Sequence, residues 1–334
     1  CHLDDATGPD GTGQYPLWGG WHDAGDYNKY QNAPYVYGLA CAYGKQKSLF
    51  DALGETPAGF SEFFEEILWG GDHVRRMVME DGSAFGSITS GYGYFGPPEL
   101  ETDNEPGTGD ERPGSCVSGD NSDAHQAALA RIAVFLDGKD AMDTPWNVWK
   151  ETAERALDNA LRQGRRGLLQ LSTALDLYAC TGASRHAETA RILRAELYPE
   201  SGIPDQSMMH EEVARRWAAV FEEGLEETLK EAVLRKAEGM LRNASNPFGV
   251  YTMGPPEQPN FFGTPADKGG WHVGTNSYLL ENAAFMAVAC QYELRPEFLD
   301  FVYNQFNWVL GLNPFNISLM EGAGSAFSPS YHHR

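Results

Sequence analysis

Apolar residues recur three and four positions apart along most of this chain. Phe60, Phe64, Ile67, Leu68 and Val74 keep that spacing, as do Leu168, Leu171, Leu175 and Tyr178, and later Leu279, Ala283, Met286 and Ala289. This is the period of a helix that buries one stripe. Further helices are predicted near 122–136, 145–162, 184–196, 297–310 and 209–242, the last with an internal break, and Ser122-Asp123 supplies an N-cap. The expectation is eight to ten helices, with the two-residue alternation of strands nearly absent.

Four long segments rich in Gly, Pro and aromatic residues separate the periodic stretches: 1–35, 81–121, 244–274 and 311–334. Loops of that length inside a compact domain are usually functional. A large all-helical domain carrying them suits a toroid of helical hairpins whose loops gather at one end around a cleft. An irregular helical bundle satisfies the periodicity equally. No short internal repeat, low-complexity tract or interdomain linker interrupts the pattern.

Composition narrows the class. At 334 residues and 42% apolar, the chain can bury a sizeable core. Lys plus Arg is 25 against 47 for Asp plus Glu, a formal charge of -22 that repels phosphate backbones and anionic lipid headgroups. Neither nucleic acid nor a membrane is expected as a partner, since no apolar run approaches the ~20 residues of a membrane span. The chain opens on Cys1, which reads as a processed or excerpted sequence. Five cysteines (1, 41, 116, 180 and 290) are too few and too scattered for a disulfide scaffold, and Cys41, Cys180 and Cys290 sit in apolar helical contexts, as core residues do.

The loops carry the candidate chemistry. Trp18, Trp21, Tyr27, Tyr30, Tyr92, Tyr94, Phe95 and Trp271 fall in or beside them, among Asp, Asn, His and Gly. Flat rings with polar neighbours suit pyranoses, which present an apolar face and a rim of hydroxyls. Any one ring more often pins its loop to the helices; the set favours a sugar cleft. In "GGWHDAGDYNKY", residues 19–30, Asp23 and Asp26 flank an Ala-Gly pair. A lone D-x-x-D is most often a turn with local hydrogen bonds. Beside so many aromatics it also suits inverting glycoside hydrolysis, in which a carboxylate activates water opposite an acid ~6.5–9.5 Å away.

Those residues belong to a longer pattern. "CHLDDA", "GGWHDAGDYNKY", "LWGGDHVRRM" followed by "DGSAFG", "WHVGTNSYLLENAAFMAVA" and "NWVLGLNPFNISLMEGAGSAFSPSYHHR" occur in this order. The chain thereby resembles glycoside hydrolase family 9, the inverting cellulases. The resemblance implies an all-α fold, an (α/α)6 barrel truncated at both ends, with residues 1–334 forming an incomplete catalytic domain. It assigns Asp26 as catalytic base and Asp23 as its partner in holding the water. The family's H-x-R falls on His332 and Arg334, which would bind the sugar at the cleavage point, with Trp271, Trp21 and Tyr27 among the cleft's aromatics. The family's general acid, a glutamate beyond H-H-R, is expected outside these residues. Glu321, the one late acid in a cleft-like loop, reads as an exposed or supporting carboxylate.

Metal readings follow from the same place. Cys1, His2 and His22 offer one thiolate and two imidazoles, ligand types for a structural zinc but one short of four; a core cysteine with two loop histidines is the competing reading. In the family branch with "CH" before the D-A-G-D loop, an upstream cysteine completes the site. Calcium is frequent in the family, and Asp120, Asn121 and Asp123 could offer oxygens, although D-N-S-D before a helix is more often a cap. No organic cofactor is expected.

Departures and discarded motifs complete the reading. "TDNEPGTGDERPG" stands where many members have T-D-H-x-x-W, and Tyr331 where a proline is usual. "GYGYFG" lacks a strand-turn-helix context, "HEEVA" lacks the second histidine of a zinc protease, and "GAGSA" lacks the G-x-S-x-G elbow. The resemblance implies a monomeric, secreted or periplasmic endo-β-1,4-glucanase acting on cellulose or related β-glucans. An exo-acting cellobiohydrolase, an exo-β-glucosaminidase or a non-catalytic glycan-binding chain are the alternatives.

Overall fold

The computed structural model describes residues 17–21, 29, 32–88, 114–115, 122–198, 208–221, 226–252 and 275–327. Among them run α1 (Asn32–Lys45), α2 (Lys47–Asp51), α3 (Glu62–Arg76), α4 (Ser122–Leu136), α5 (Trp146–Arg162), α6 (Leu168–Thr181), α7 (Ser184–Leu197), α8 (Met208–Phe221), α9 (Glu226–Asn243), α10 (Thr275–Tyr292) and α11 (Pro296–Val309). Within the described residues, β1 (Ser87–Ile88) and β2 (Gly114–Ser115) form one short antiparallel pair. Helices α3 to α11 fall on the periodic stretches, and the break expected inside 209–242 lies between Phe221 and Glu226.

Helices α1 and α2 exceed the expectation, and α1 begins inside a segment read as loop. Its sequence, NAPYVYGLACAYGK, mixes Pro, Gly and tyrosines. Ala33, Val36, Tyr37, Ala40 and Tyr43 are buried while Tyr35 is exposed, so the stripe is real but built partly from residues that favour other structures.

The chain divides into two compact units. In the first, α4 packs against α1, α3, α5 and α6, and α7 packs on α6. Ala124, Ala127, Ala128, Ala130 and Ala133 are buried on α4; small side chains there let its neighbours approach closely. Leu129, Ile132 and Leu136 are buried on α4 too, as are Phe64, Ile67 and Leu68 on α3 and Trp149 on α5, helices that pack against it. Each such burial contributes roughly 1.5–3 kcal/mol. Ser61 caps α3 by accepting from the Phe64 amide at 3.2 Å. Gly182 ends α6 at φ +63, its N–H bonded to the Tyr178 carbonyl at 2.8 Å. Arg131 and Asp176, both buried, pair across α4 and α6 at 3.1 Å.

The second unit holds α8 to α11, with α9, α10 and α11 in mutual contact. Val250, Leu279, Trp308 and Val309 form a core cluster there. Pro296 opens α11, where its missing N–H costs nothing. The buried Gln305 side chain accepts from the Tyr251 amide at 2.8 Å and donates to the Gly249 carbonyl at 3.1 Å, tying the 249–251 segment to α11.

Cys41, Cys180 and Cys290 are free thiols, half-buried rather than fully inside the core. Burial pushes the Cys180 thiol up to about 12. Glu321 is exposed, as expected. No helix of the described residues is long and apolar enough to cross a membrane.

Candidate active site

The segment leading into the D-A-G-D loop is held by the last turns of α3 and the first residue of α1. Leu17 is fully buried with Met77 and Phe85. The Trp18 carbonyl accepts twice, from Arg76 Nη2 at 2.6 Å and from His73 Nδ1 at 3.1 Å. The Trp18 ring receives the Arg76 guanidinium 3.6 Å from its centre, a desolvated cation–π contact. Asp72 holds Arg76 in turn, and also bonds Arg75 at 2.7 Å.

Gly19 and Gly20 follow at φ +90 and +70, a conformation that side chains rarely adopt. Space excludes them too: a Cβ on Gly20 would lie 2.7 Å from both Asn32 Oδ1 and His73 Cδ2. Trp21 is then fixed at three points. Its N–H donates to Asn32 Oδ1 at 2.7 Å, its carbonyl accepts from Asn32 Nδ2 at 3.1 Å, and its indole N–H donates to Glu66 Oε1 at 2.7 Å. The indole lies over Gly70, where a Cβ would approach it to 2.1 Å.

Electrostatics follow from burial. His73 is fully buried, and its pKa falls to about 3, chiefly from lost hydration and then from the nearby Lys29 ammonium. The ring is therefore neutral. Because the Trp18 carbonyl can only accept, Nδ1 carries the proton and Nε2 keeps its lone pair. Nε2 is buried and has no hydrogen-bond partner among the described residues. Arg76 is pulled below its ordinary range by burial, with Asp72 opposing that shift.

Two concavities flank this strut. One, of about 310 Å³, is lined by Lys29, Asn32, Ala33, Pro34, Met77, Gly86 and His125. Lys29 and His125 are almost wholly buried there. The other is an open apolar groove of about 530 Å³, bordered by Trp21, Pro34, Tyr35, Gly38, Leu39 and Glu66.

Trp21 is the one expected site residue within the described region; it borders the groove. Asp23, Asp26, Tyr27, Trp271, His332 and Arg334 lie outside the described residues, as do Cys1, His2 and His22 and the side chains of Asp120, Asn121 and Asp123. Among the described residues, no group of three or more His, Cys, Asp or Glu could hold a metal. Sequence reasoning passed over Asn32, His73 and Arg76. The last two stand in the quoted segment "LWGGDHVRRM", where a run of charged residues at a helix end reads as a solvated face.

The profile described as Glycosyl hydrolase family 9 matches residues 1–163 and 170–334. A cellodextrinase of Butyrivibrio fibrisolvens is 32% identical over 100 residues, 27% of this chain and 18% of its own. The crystal structure of a metagenome-derived glycoside hydrolase family 9 endoglucanase superposes with a TM-score of 0.72 at 20% identity, over 99% of this chain and 63% of that one. The cellulase CEL9M of C. cellulolyticum, solved in complex with cellobiose, gives 0.65 at 19% identity over 98% of this chain and 79% of that one. The chain thus spans a little under two thirds of the endoglucanase it matches. At these identities the likeness concerns the fold, which is all-α and of the (α/α)6-barrel class.

Proposed function

This chain belongs to glycosyl hydrolase family 9, and from that premise we propose that it performs inverting hydrolysis of β-1,4-glycosidic bonds in cellulose or a related β-glucan, as an endoglucanase. One observation supports the reading: the described residues on either side of the segment with both aspartates are held in place or buried. Trp18 to Trp21 are fixed by Arg76, His73, Asn32 and Glu66, and Lys29, three residues past Asp26, is buried beside Asn32 in one cavity. A base must hold its water in a fixed place, and fixed flanks favour that.

In this mechanism Asp26 takes the proton of the attacking water and Asp23 shares its orientation. His332 and Arg334 bind the sugar at the cleavage point, and Trp21, Tyr27 and Trp271 contribute aromatic surface. A carboxylic acid on the opposite face protonates the leaving oxygen. The complex of the C. cellulolyticum cellulase with cellobiose supports a glucan ligand. An insoluble polymer cannot be imported whole, so action outside the cell is part of the proposal, with the protein working as a monomer. Cys1, His2 and His22 form a donor set that fits three of the four positions of a tetrahedral structural zinc; such a metal would brace the loop next to Asp23.

The test is stereochemical. Proton NMR of a cello-oligosaccharide hydrolysed by the natural full-length protein is expected to show the α-anomer before mutarotation, because one displacement by water inverts the anomeric carbon. Initial β-anomer would overturn the mechanism. Release of mixed-length products from a soluble β-glucan, with a rapid drop in viscosity, is expected of endo action; cellobiose alone from the outset would favour the exo reading.

A further inference from the structure

The loop carrying the two aspartates is bracketed by Trp21 and Asn32, eleven positions apart. The Asn32 carboxamide joins them, accepting from the Trp21 N–H at 2.7 Å and donating to the Trp21 carbonyl at 3.1 Å. A planar amide that meets both polar groups of one residue reproduces the closely spaced hydrogen-bonded pair of an antiparallel ladder. Here it does so with a side chain, so the two loop ends are locked together without a second strand.

We propose that Asn32 is a positioning residue, whose two-point clasp on the Trp21 peptide sets the geometry of the loop that bears Asp23 and Asp26. This rests on the function proposed above.

Three features of the surroundings point the same way. Asn32 is buried, at 4% exposure, as the first residue of α1. A side chain there could have bonded its own helix's free amides. Its side chain bonds both polar backbone groups of Trp21. Pro34, two residues on, has no amide hydrogen to leave unpaired at this helix start. Gly20 is the second feature. A side chain there would drive into the Asn32 oxygen, so the glycine keeps the clasp closed. Third, Trp21 is independently immobilised through Glu66 and its seat over Gly70. The clasp therefore refers the far end of the loop to a fixed point on α3.

The clasp is specific to an amide. Asn32→Asp keeps the shape and the acceptor but, ionised, has no donor for the Trp21 carbonyl. Asn32→Ala removes both bonds. Each variant of the natural full-length protein is compared with wild type by hydrogen–deuterium exchange of peptides covering 22–31 and by kinetics on an aryl cellobioside. Exchange is expected to quicken in that loop and not in α4 or α6. A misplaced base is expected to lower kcat by about 10- to 100-fold, with KM held within about threefold. Unchanged loop exchange in both variants would overturn the proposal while leaving the function untouched. Faster loop exchange with wild-type kcat would overturn the positioning role alone, since the function is tested separately by the anomer of the product. Faster exchange throughout, with KM and kcat failing together, would mark an ordinary loss of stability and sink the positioning role alone.

Discussion

The Arg76 guanidinium covers the Trp18 ring at 3.6 Å and also donates to the carbonyl of that same residue at 2.6 Å. One side chain thereby fixes both the ring and the backbone of the residue before the Gly19-Gly20 turn. Its charge is balanced by Asp72, one turn earlier on α3. Truncation to Ala would strip a buried carboxylate of one of its two cations and leave the Trp18 carbonyl to His73 alone. We expect Arg76→Ala to cost about 3–5 kcal/mol, the range for breaking a buried pair. Arg76→Lys should recover part of this, since an ammonium keeps the charge but not the planar stack. Urea unfolding measures both; a loss under about 1 kcal/mol for Ala would refute the account.

Gly70 tests the seat of Trp21. A methyl there would sit 2.1 Å from the indole, so the ring must slide and its bond to Glu66 must stretch. Overpacking of this kind costs about 1–3 kcal/mol, more than the roughly 1 kcal/mol that Ala gains over Gly in a helix. Gly70→Ala is therefore expected to destabilise the protein and to shift tryptophan emission. A stabilised variant would show that the ring has room.

Acid stability reports His73. Its pKa is near 3 in the fold against about 6.5 in an unfolded chain, so between those values the unfolded state binds the extra proton. The stability it supports is fully present above pH 6.5 and is lost as pH falls toward 3, by up to about 1.4 kcal/mol per unit. His73→Asn can keep a donor near the Trp18 carbonyl but cannot titrate. Unfolding free energies at pH 7 and pH 5 are expected to differ more for wild type than for His73→Asn. Equal differences would mean that His73 is not buried as a neutral ring.

The fold was legible where helices are one-sided. On α3 and α5 polar and apolar residues alternate by face, and both were found. Helix α1 was missed because tyrosines, glycines and a proline occupy it, and its burial depends on α3 and α4 rather than on its own pattern. Of the expected site residues, Trp21 alone lies within the described residues, beside the open groove. Asp23 and Asp26 are singled out by their aromatic setting and the family resemblance and lie outside the described residues, whereas Asn32, His73 and Arg76 are ordinary polar residues until the chain brings a backbone carbonyl against them. Nothing in a one-dimensional pattern distinguishes an asparagine that starts a helix from one that clasps a peptide eleven residues upstream.

The proposed base gives a sharper test. Asp26→Asn keeps shape and removes the proton acceptor, so kcat is expected to fall by about 10²–10⁴ while cello-oligosaccharide binding persists. Asp23→Asn is expected to lose less. Turnover within a few-fold of wild type in Asp26→Asn would remove this residue from the mechanism.

Metal content tests the proposed brace. The natural protein is expected to carry one zinc per chain, released by His22→Ala with a lower melting temperature, because the ligand adjoins Asp23. Elemental analysis that finds no zinc in a preparation never exposed to chelators would refute it.

The raised pKa of Cys180 bears on durability. Burial raises this thiol to about 12, so it stays protonated at neutral pH, and the thiolate is the form that oxidants, alkylating agents and disulfides react with. Burial thus makes this position slow to react, because it disfavours the reactive form. A free thiol on α6 can therefore persist without acting as a fuse.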